Sequence, residues 1–235
     1  MRPVERGSHP KDEKENDVTY KEYQQARGEL IRRLGEYCSY CEMHLDSSLA
    51  VEHVRPKKPP GASVVDRTRE LEWTNFLLAC TNCNSTKGDT DVALDDYLWP
   101  DRDNTFRALS YTSGGKVAAR DGDFKQKAEN IISLTGLDKT PNEDTASDRR
   151  WLNRREAWDM AVRSKGRLSR NDSGDFREQI IETAVANGFW SAWMTVFESD
   201  ADMLKRLIVA FKGTASSCFD TQNGYAPIAR NGGQC

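Results

Sequence analysis

Two C-x2-C motifs constrain this chain more than any other feature, one at residues 38–41 (CSYC) and one at residues 80–83 (CTNC). Two thiolates at this spacing bind one metal ion without strain, and two such pairs supply the four ligands of a tetrahedral zinc site. Cysteine at all four positions leaves no open place for water, so we expect a structural zinc. The predicted zinc ligands are Cys38, Cys41, Cys80 and Cys83.

The alternatives for these cysteines are disulfides or ordinary buried thiols. The N-terminal segment has no apolar signal core, and no stretch approaches the roughly 18 apolar residues that a membrane span needs. We therefore expect a cytoplasmic protein without a membrane association, in which thiols stay reduced. A redox C-x-x-C is disfavoured because neither pair opens a helix in a βαβ context. Cys218 and Cys235 have no partner motif and are expected to be free thiols.

The net charge of −3 is unusual for a protein that binds nucleic acid alone, because sequence-independent affinity comes mainly from Lys and Arg. Positive surface must then be local or supplied by a partner. The best local candidate is residues 55–69, whose five basic residues are opposed only by Asp66 in that stretch. The basic residues concerned are Arg55, Lys57, Lys58, Arg67 and Arg69. The alternative is that they are solvated loop charges.

The hydrophobic pattern predicts an amphipathic helix over residues 18–37, directly before the first motif. Residues 49–54 are typical of a short strand, and the Pro-rich segment after them predicts an irregular loop. A second strand is expected over Asn75 to Ala79, followed by a helix whose first turn carries the second cysteine pair. The predicted order is strand, loop, strand, helix.

The character of the sequence changes near residue 100, which divides it into a predicted core at 1–100 and a second region at 101–235. Residues 106–119 (FRALSYTSGGKVAA) are typical of a β-hairpin. Helices are predicted near 122–136, 146–165, 174–188 and 190–212. The expected fold class is α+β, with a small mixed core and a mainly helical C-terminal region. In that region, Trp190 and Trp193 are interpreted as core packing, with a base-stacking platform as the alternative.

The order CxxC, Glu52-His53, Asn75, CxxC-Asn84, Lys87-Gly88 resembles the four-cysteine type of HNH endonuclease over about residues 38–88. In that family, a strand–loop–strand–helix unit, the ββα-metal fold, grips one divalent cation. An isolated histidine in an apolar strand is more often a core residue, but the pattern around this one favours a functional role.

The resemblance implies that His53 is the general base, that Glu52 and Asn84 are ligands of the divalent cation, and that Asn75 braces the loop which holds His53. Neutral imidazole can take a proton from water near pH 7, and oxygen ligands suit Mg²⁺ or Mn²⁺. Two protein ligands are few, so we expect the substrate to complete the site. The family commonly has Asp before the histidine, and the longer Glu52 puts the metal geometry in doubt. Lys87 is either a phosphate ligand or a solvated lysine.

A narrower resemblance rests on three segments, MRPVERGSHP, CSYCEMHLDSSLAVEHVRPK and LEWTNFLLACTNCNSTKGD. They are similar to the HNH subunit, often called PtuB, of Septu and retron-associated anti-phage systems. That resemblance implies an ABC-type ATPase partner and an attack on nucleic acid, with DNA favoured. The helical region is the candidate docking face, with a self-contained core as the alternative. Another function remains open: a zinc-stabilised nucleic-acid or protein binding module, or an adaptor, without catalysis.

Overall fold

A short helix precedes the first cysteine motif. The structure, a computed structural model, describes residues 1–140 and 147–235. A 3-10 turn at Tyr23–Ala26 continues into helix α1 (Arg27–Leu34), which ends at Gly35. The predicted helix is therefore correct only in its second half.

The predicted order of strand, loop, strand and helix is confirmed. Strands β1 (Ala50–His53) and β2 (Phe76–Ala79) pair antiparallel, and the register places His53 opposite Phe76. The loop between them is less irregular than expected. It contains a short helix, α2 (Arg67–Leu71), because the Asp66 side chain accepts hydrogen bonds from the amides of Thr68 and Arg69 at its start.

Helix α3 (Thr81–Lys87) follows β2 directly, with Cys80 as its N-cap. The Cys80 sulfur accepts the amide hydrogen of Cys83, so the knuckle itself begins the helix. Gly88 ends the helix with φ of 57°, in the left-handed region that glycine tolerates best. The chain thus leaves the helix immediately after Lys87.

The region after residue 100 is mainly helical, as predicted. Its elements are α4 (Thr105–Ala108), β3 (Leu109–Thr112), β4 (Lys116–Ala119), α5 (Lys125–Thr135), α6 (Arg150–Leu168), α7 (Gly174–Asn187), α8 (Trp190–Val196), α9 (Ala201–Ala210), β5 (Phe219–Asp220) and β6 (Ala226–Pro227). The hairpin of β3 and β4 is confirmed, with Thr112 paired to Lys116.

Three boundaries in this region differ from the predictions. The hairpin begins at Leu109 and not at residue 106, because the residues before it form helix α4. The helix expected at 190–212 is two helices, because Asp200 caps the start of α9 through the amide of Met203 and so begins a new helix. The helix expected at 146–165 is α6, shifted toward the C-terminus. Its predicted first residue, 146, lies outside the described residues.

Most of the buried apolar side chains form one large cluster that contains residues from both sides of position 100, and a small second cluster lies around Phe189. Trp190 and Trp193 are fully buried in the large cluster. Their interpretation as core packing is confirmed, and a base-stacking platform is wrong for both. Cys218 and Cys235 are buried free thiols, as predicted. The division at residue 100 stays a prediction. In the part of the chain that the structure describes, no helix combines the length and apolar character needed to cross a membrane.

Candidate nuclease site and zinc centre

The four cysteines of the two motifs come together in the interior. Their sulfur atoms all lie within 4.8 Å of one another, and all four residues are buried. Cys41 Sγ lies 3.7 Å from Cys80 Sγ. With Zn–S bonds of about 2.3 Å, tetrahedral geometry requires a sulfur separation of about 3.8 Å. The cluster therefore fits a structural zinc ion, as its composition predicted.

Backbone hydrogen bonds align the first motif with β2. The amide of Ser39 donates to the carbonyl of Leu78 at 2.8 Å, and the Ser39 hydroxyl accepts from the Leu78 amide at 3.3 Å. Since Cys80 follows β2 closely, this pairing brings one motif beside the other. The hydrogen bonds to β2 and the four cysteines therefore both keep the two motifs next to each other.

Arg150, at the start of α6, contacts the cysteine cluster and was not identified from the sequence. Its guanidinium is buried and donates to Cys83 Sγ at 3.1 Å and to the carbonyl of Thr135 at 2.7 Å. It also forms an ion pair of 2.7 Å with Asp148. Four thiolates around one Zn²⁺ carry a net charge of −2, so a buried cation beside them is favourable. This contact connects the helical region to the zinc centre.

A second close contact, between two backbone segments, joins the first motif to the C-terminal region. Gly188 lies so close to the backbone around Glu42 that a Cβ atom there would be 2.5 Å from the Glu42 carbonyl oxygen. Glu42 is buried and accepts hydrogen bonds from the amide and hydroxyl of Ser191. A side chain at residue 188 would push these segments apart, which explains why this position is a glycine.

A cleft of about 270 Å³ lies beside the zinc centre and brings together three of the predicted functional residues, Glu52, His53 and Asn84. β1 supplies the first two and α3 supplies Asn84. Lys57 and Lys58 of the loop also line it, and so does Tyr23. Tyr23 packs its ring edge-on against His53, with ring centroids 4.8 Å apart.

The hydrogen bond of His53 defines which ring nitrogen carries the proton. Nε2 lies 3.1 Å from the carbonyl oxygen of Glu70, which can only accept, so Nε2 is the donor. In the neutral ring, Nδ1 then holds the free lone pair. Burial lowers the pKa of His53 below its ordinary value, and Lys57 and Lys87 nearby lower it further, although the Glu70 carbonyl acts in the opposite direction. The ring is therefore neutral near pH 7.

Asn75 occupies the position expected of a loop brace. Its amide nitrogen donates to the carbonyls of Arg55 and Arg69, each at 2.8 Å, and its Oδ1 accepts from the Arg55 amide at 2.8 Å. These bonds join both ends of the loop, next to the Glu70 carbonyl that holds His53. Asn75 itself is buried and does not line the cleft. Its contribution to catalysis stays a prediction.

Glu52 is the only carboxylate of β1 and lies at the floor of the cleft, with 3% of its surface exposed. Lys87 Nζ lies 2.9 Å from its Oε1, but the angles are not those of a hydrogen bond, and within the described residues Oε1 has no hydrogen-bond partner. Burial raises the pKa of Glu52 above its ordinary value, although Lys87 acts in the opposite direction. A divalent cation held by Glu52 and by the Asn84 side chain would fit at Oε1, which pairs with Lys87 but accepts no hydrogen bond of ordinary geometry.

The predicted nucleic-acid-binding residues do not form one surface. Lys57 and Lys58 line the cleft, whereas Arg55 lines a separate depression beside Arg69 and Arg102. Lys87 differs most from expectation, because it is neither solvated nor accessible to a phosphate but is buried at the end of α3.

Acidic side chains from outside the 55–69 segment also neutralise part of its positive charge. Arg69 pairs with Asp91 at 2.9 Å, and both Lys57 and Arg67 pair with Glu70. Neither acid belongs to the segment, so the count from the sequence missed them. Lys58 is the exposed cation that remains at the cleft.

A comparison with protein families finds a match over this part of the chain. Residues 38–90 match the model of the family described as HNH endonuclease. A comparison with curated proteins gives no match. The chain therefore contains an HNH domain that includes both cysteine motifs, β1, β2 and α3. The predicted fold class, an α+β chain with an HNH core and a mainly helical C-terminal region, is confirmed. The narrower resemblance to the Septu and retron-associated subunit stays a prediction.

Proposed function

We propose that this protein is a metal-dependent HNH endonuclease that hydrolyses phosphodiester bonds, with DNA as the favoured substrate. The observation that carries the proposal is the convergence of three side chains on one cleft: an oriented, neutral histidine, a buried carboxylate that pairs with Lys87 and has one oxygen without a hydrogen bond, and the amide of Asn84. A zinc centre with four cysteine ligands stands beside it and has no open coordination position.

In the proposed reaction, His53 takes a proton from the water that attacks the phosphorus. Nε2 is held by the Glu70 carbonyl, so Nδ1 is the atom that accepts this proton. As the water oxygen bonds to phosphorus, the bond from phosphorus to the leaving oxygen breaks, and the leaving oxygen takes a proton from water. The imidazolium then returns its proton to solvent, which restores the neutral base. Asn75 keeps the base in position through the loop, since its three hydrogen bonds join Arg55 and Arg69.

Glu52 and Asn84 would hold Mg²⁺ or Mn²⁺, which when bound supplies positive charge beside the scissile phosphate and the leaving oxygen. Lys58 would contact the backbone of the substrate from the rim of the cleft. None of these residues reads a base, so we expect cleavage with little sequence preference.

The test is cleavage of plasmid DNA, and then of RNA, by purified protein with Mg²⁺, Mn²⁺ or EDTA. The His53→Ala variant should lose about 10²–10⁴-fold in rate, the usual contribution of a general base. His44→Ala is the matched control, because His44 is half-buried like His53 but lies outside the cleft. If wild type leaves both substrates intact, a binding module or adaptor without catalysis becomes the better account. Equal cleavage by wild type and His53→Ala would show that His53 is not the general base.

We extend the proposal to a cytoplasmic anti-phage defence complex with an ABC-type ATPase, on the three segments that resemble the HNH subunit of such systems. The small basic area at the cleft and the net charge of −3 support a partner that supplies substrate affinity. The helical region remains the proposed docking face, but its buried Trp190 and Trp193 cannot form it.

Exposed apolar side chains are the better candidates within that region. Val209 of α9 has 75% of its surface exposed, and Val162 of α6 has 49%. Co-expression with a candidate ATPase should give a complex that Val209→Asp weakens. Val64→Asp is the matched control, since Val64 is 73% exposed in the loop of the HNH domain. A complex lost with Val64→Asp and retained with Val209→Asp would move the docking face to that loop.

A further inference from the structure

Lys87 lies inside the nuclease site, against the strand that carries the base and the acidic ligand. Its side chain is 1% exposed. The ammonium donates a hydrogen bond of 2.8 Å to the backbone carbonyl of His53 and lies 2.9 Å from Glu52 Oε1. Lys87 therefore neutralises Glu52 before any metal ion binds.

The position of Lys87 on α3 places it on the same side of the helix as Asn84. The two residues are three positions apart, close to the 3.6 residues of one helical turn. Both side chains consequently approach β1 from α3. A divalent cation held by Glu52 and Asn84 would share the Glu52 carboxylate with an ammonium that is already there.

Like charges that share one carboxylate repel each other strongly at a buried site, because the surroundings screen them weakly. Glu52 and Lys87 together carry no net charge, so the addition of a divalent cation leaves an excess of +2 in the floor of the cleft. A nucleic-acid phosphate at the cleft brings negative charge and offsets part of that excess. Metal and substrate should then bind better together than separately.

We propose that Lys87 is a resident counter-ion of Glu52 that makes the binding of the divalent cation depend on nucleic acid. The inference rests on the proposed function in one respect, namely that Glu52 is the ligand of this cation. Lys87 touches no substrate in this account. It is a positioning residue that acts through Glu52 and determines when the metal is retained.

The test measures Mn²⁺ binding to the full-length, zinc-loaded protein from the electron paramagnetic resonance signal of free Mn²⁺. Without nucleic acid, Lys87→Gln should bind Mn²⁺ at least about tenfold more tightly than wild type, because the competing charge is gone. Lys87→Arg keeps the charge and should stay within about twofold of wild type. Mildly alkaline buffer keeps Glu52 ionised in each protein. Glu52→Gln should lose this binding.

A second measurement needs no substitution at Lys87 and therefore does not depend on the folding of that variant. In the His53→Ala background, which prevents cleavage, a short DNA duplex should tighten Mn²⁺ binding by about tenfold or more. The same duplex should have a smaller effect when Lys87→Gln is added. Circular dichroism and zinc content establish that each variant is folded.

Equal or weaker Mn²⁺ binding by folded Lys87→Gln would overturn the inference. Mn²⁺ binding that is already tight without DNA, and unchanged by it, would also overturn it. Binding that survives Glu52→Gln would overturn both the inference and the metal assignment. A protein that shows the expected Mn²⁺ binding but cleaves neither DNA nor RNA would contradict the proposed function alone.

Discussion

The zinc centre and the cleft beside it use neighbouring parts of the same strands and helix in opposite ways. The zinc centre has four identical ligands, all buried, and a buried arginine that balances their charge. The cleft has one buried carboxylate, one half-buried histidine and one half-buried amide. The first site is closed and complete within the protein, whereas the second leaves positions for water and substrate. This contrast fits a structural role for the first site and the proposed catalytic role for the second.

The largest effect should follow the loss of one zinc ligand. Cys83→Ser removes a thiolate from a site whose metal contributes roughly 10–16 kcal/mol to folding in small zinc domains. We expect no cooperative thermal unfolding of the HNH domain and a loss of zinc by elemental analysis. Cys218→Ser, at a buried cysteine outside the cluster, is the control and should keep its zinc. A zinc-loaded, cooperatively folded Cys83→Ser would show that the cluster does not hold the fold.

Arg150 tests whether the helical region helps to close the zinc centre. Arg150→Met leaves Cys83 and Asp148 without their cation. Removal of one partner from a fully buried pair costs about 3–5 kcal/mol, and solvent around the partly exposed Asp148 should lower the cost to about 1–3 kcal/mol. Chemical denaturation should show this loss, together with faster release of zinc to a chelator. Arg163→Met is the control, because Arg163 is exposed on the same helix. Equal stability of the two variants would mean that the contact is incidental.

Asn75 tests the connection between the loop and the base. Asn75→Ala removes three hydrogen bonds and should lower the free energy of unfolding by about 1–3 kcal/mol. Cleavage should fall by about 10–100-fold with the zinc content unchanged, as is usual for residues that orient a metal site. Thr74→Ala, at the exposed neighbouring position, should cleave like wild type. If both variants cleave equally, Asn75 does not position His53.

Substitution of Lys58 should have the smallest effect, and it should change only the affinity for the nucleic-acid substrate. Lys58→Ala removes an exposed charge at the rim of the cleft and should leave stability unchanged. Loss of one phosphate contact should reduce the slope of affinity against salt concentration by about one. Lys116→Ala, exposed on the β3–β4 hairpin, is the comparison. A larger loss with Lys116→Ala would place the nucleic acid on the helical side of the molecule.

The features that could be predicted from the sequence are those that a short, local motif determines. The cysteine spacing predicted the cluster, and the order of β1, β2 and α3 followed from the strand and cap signals around it. The longer helices after residue 100 were found from hydrophobic periodicity, except that the helix predicted at 190–212 is divided into α8 and α9. The short helix α4 was missed, because its residues were assigned to the hairpin. The cap at Asp200 lies within an apolar pattern that continues across it, and that pattern predicted a single helix.

Long-range contacts could not be predicted, because nothing local in the sequence specifies them. Arg150 reaches Cys83 from a helix far along the chain, and Tyr23 reaches His53 from the segment before α1. Lys87 was identified in the motif, but its burial depends on the acid and the carbonyl that β1 presents. In each case the fold determines the environment of a charged or aromatic residue.

The most direct test of the division between the two sites follows zinc content and cleavage in the same samples. The protein is treated with EDTA, desalted, and assayed on plasmid DNA before and after addition of Mg²⁺ or Mn²⁺. Our account predicts that the zinc stays bound, that cleavage disappears, and that Mg²⁺ or Mn²⁺ restores it without a change in zinc content. Cleavage that persists without added metal, or that follows the zinc content, would contradict it.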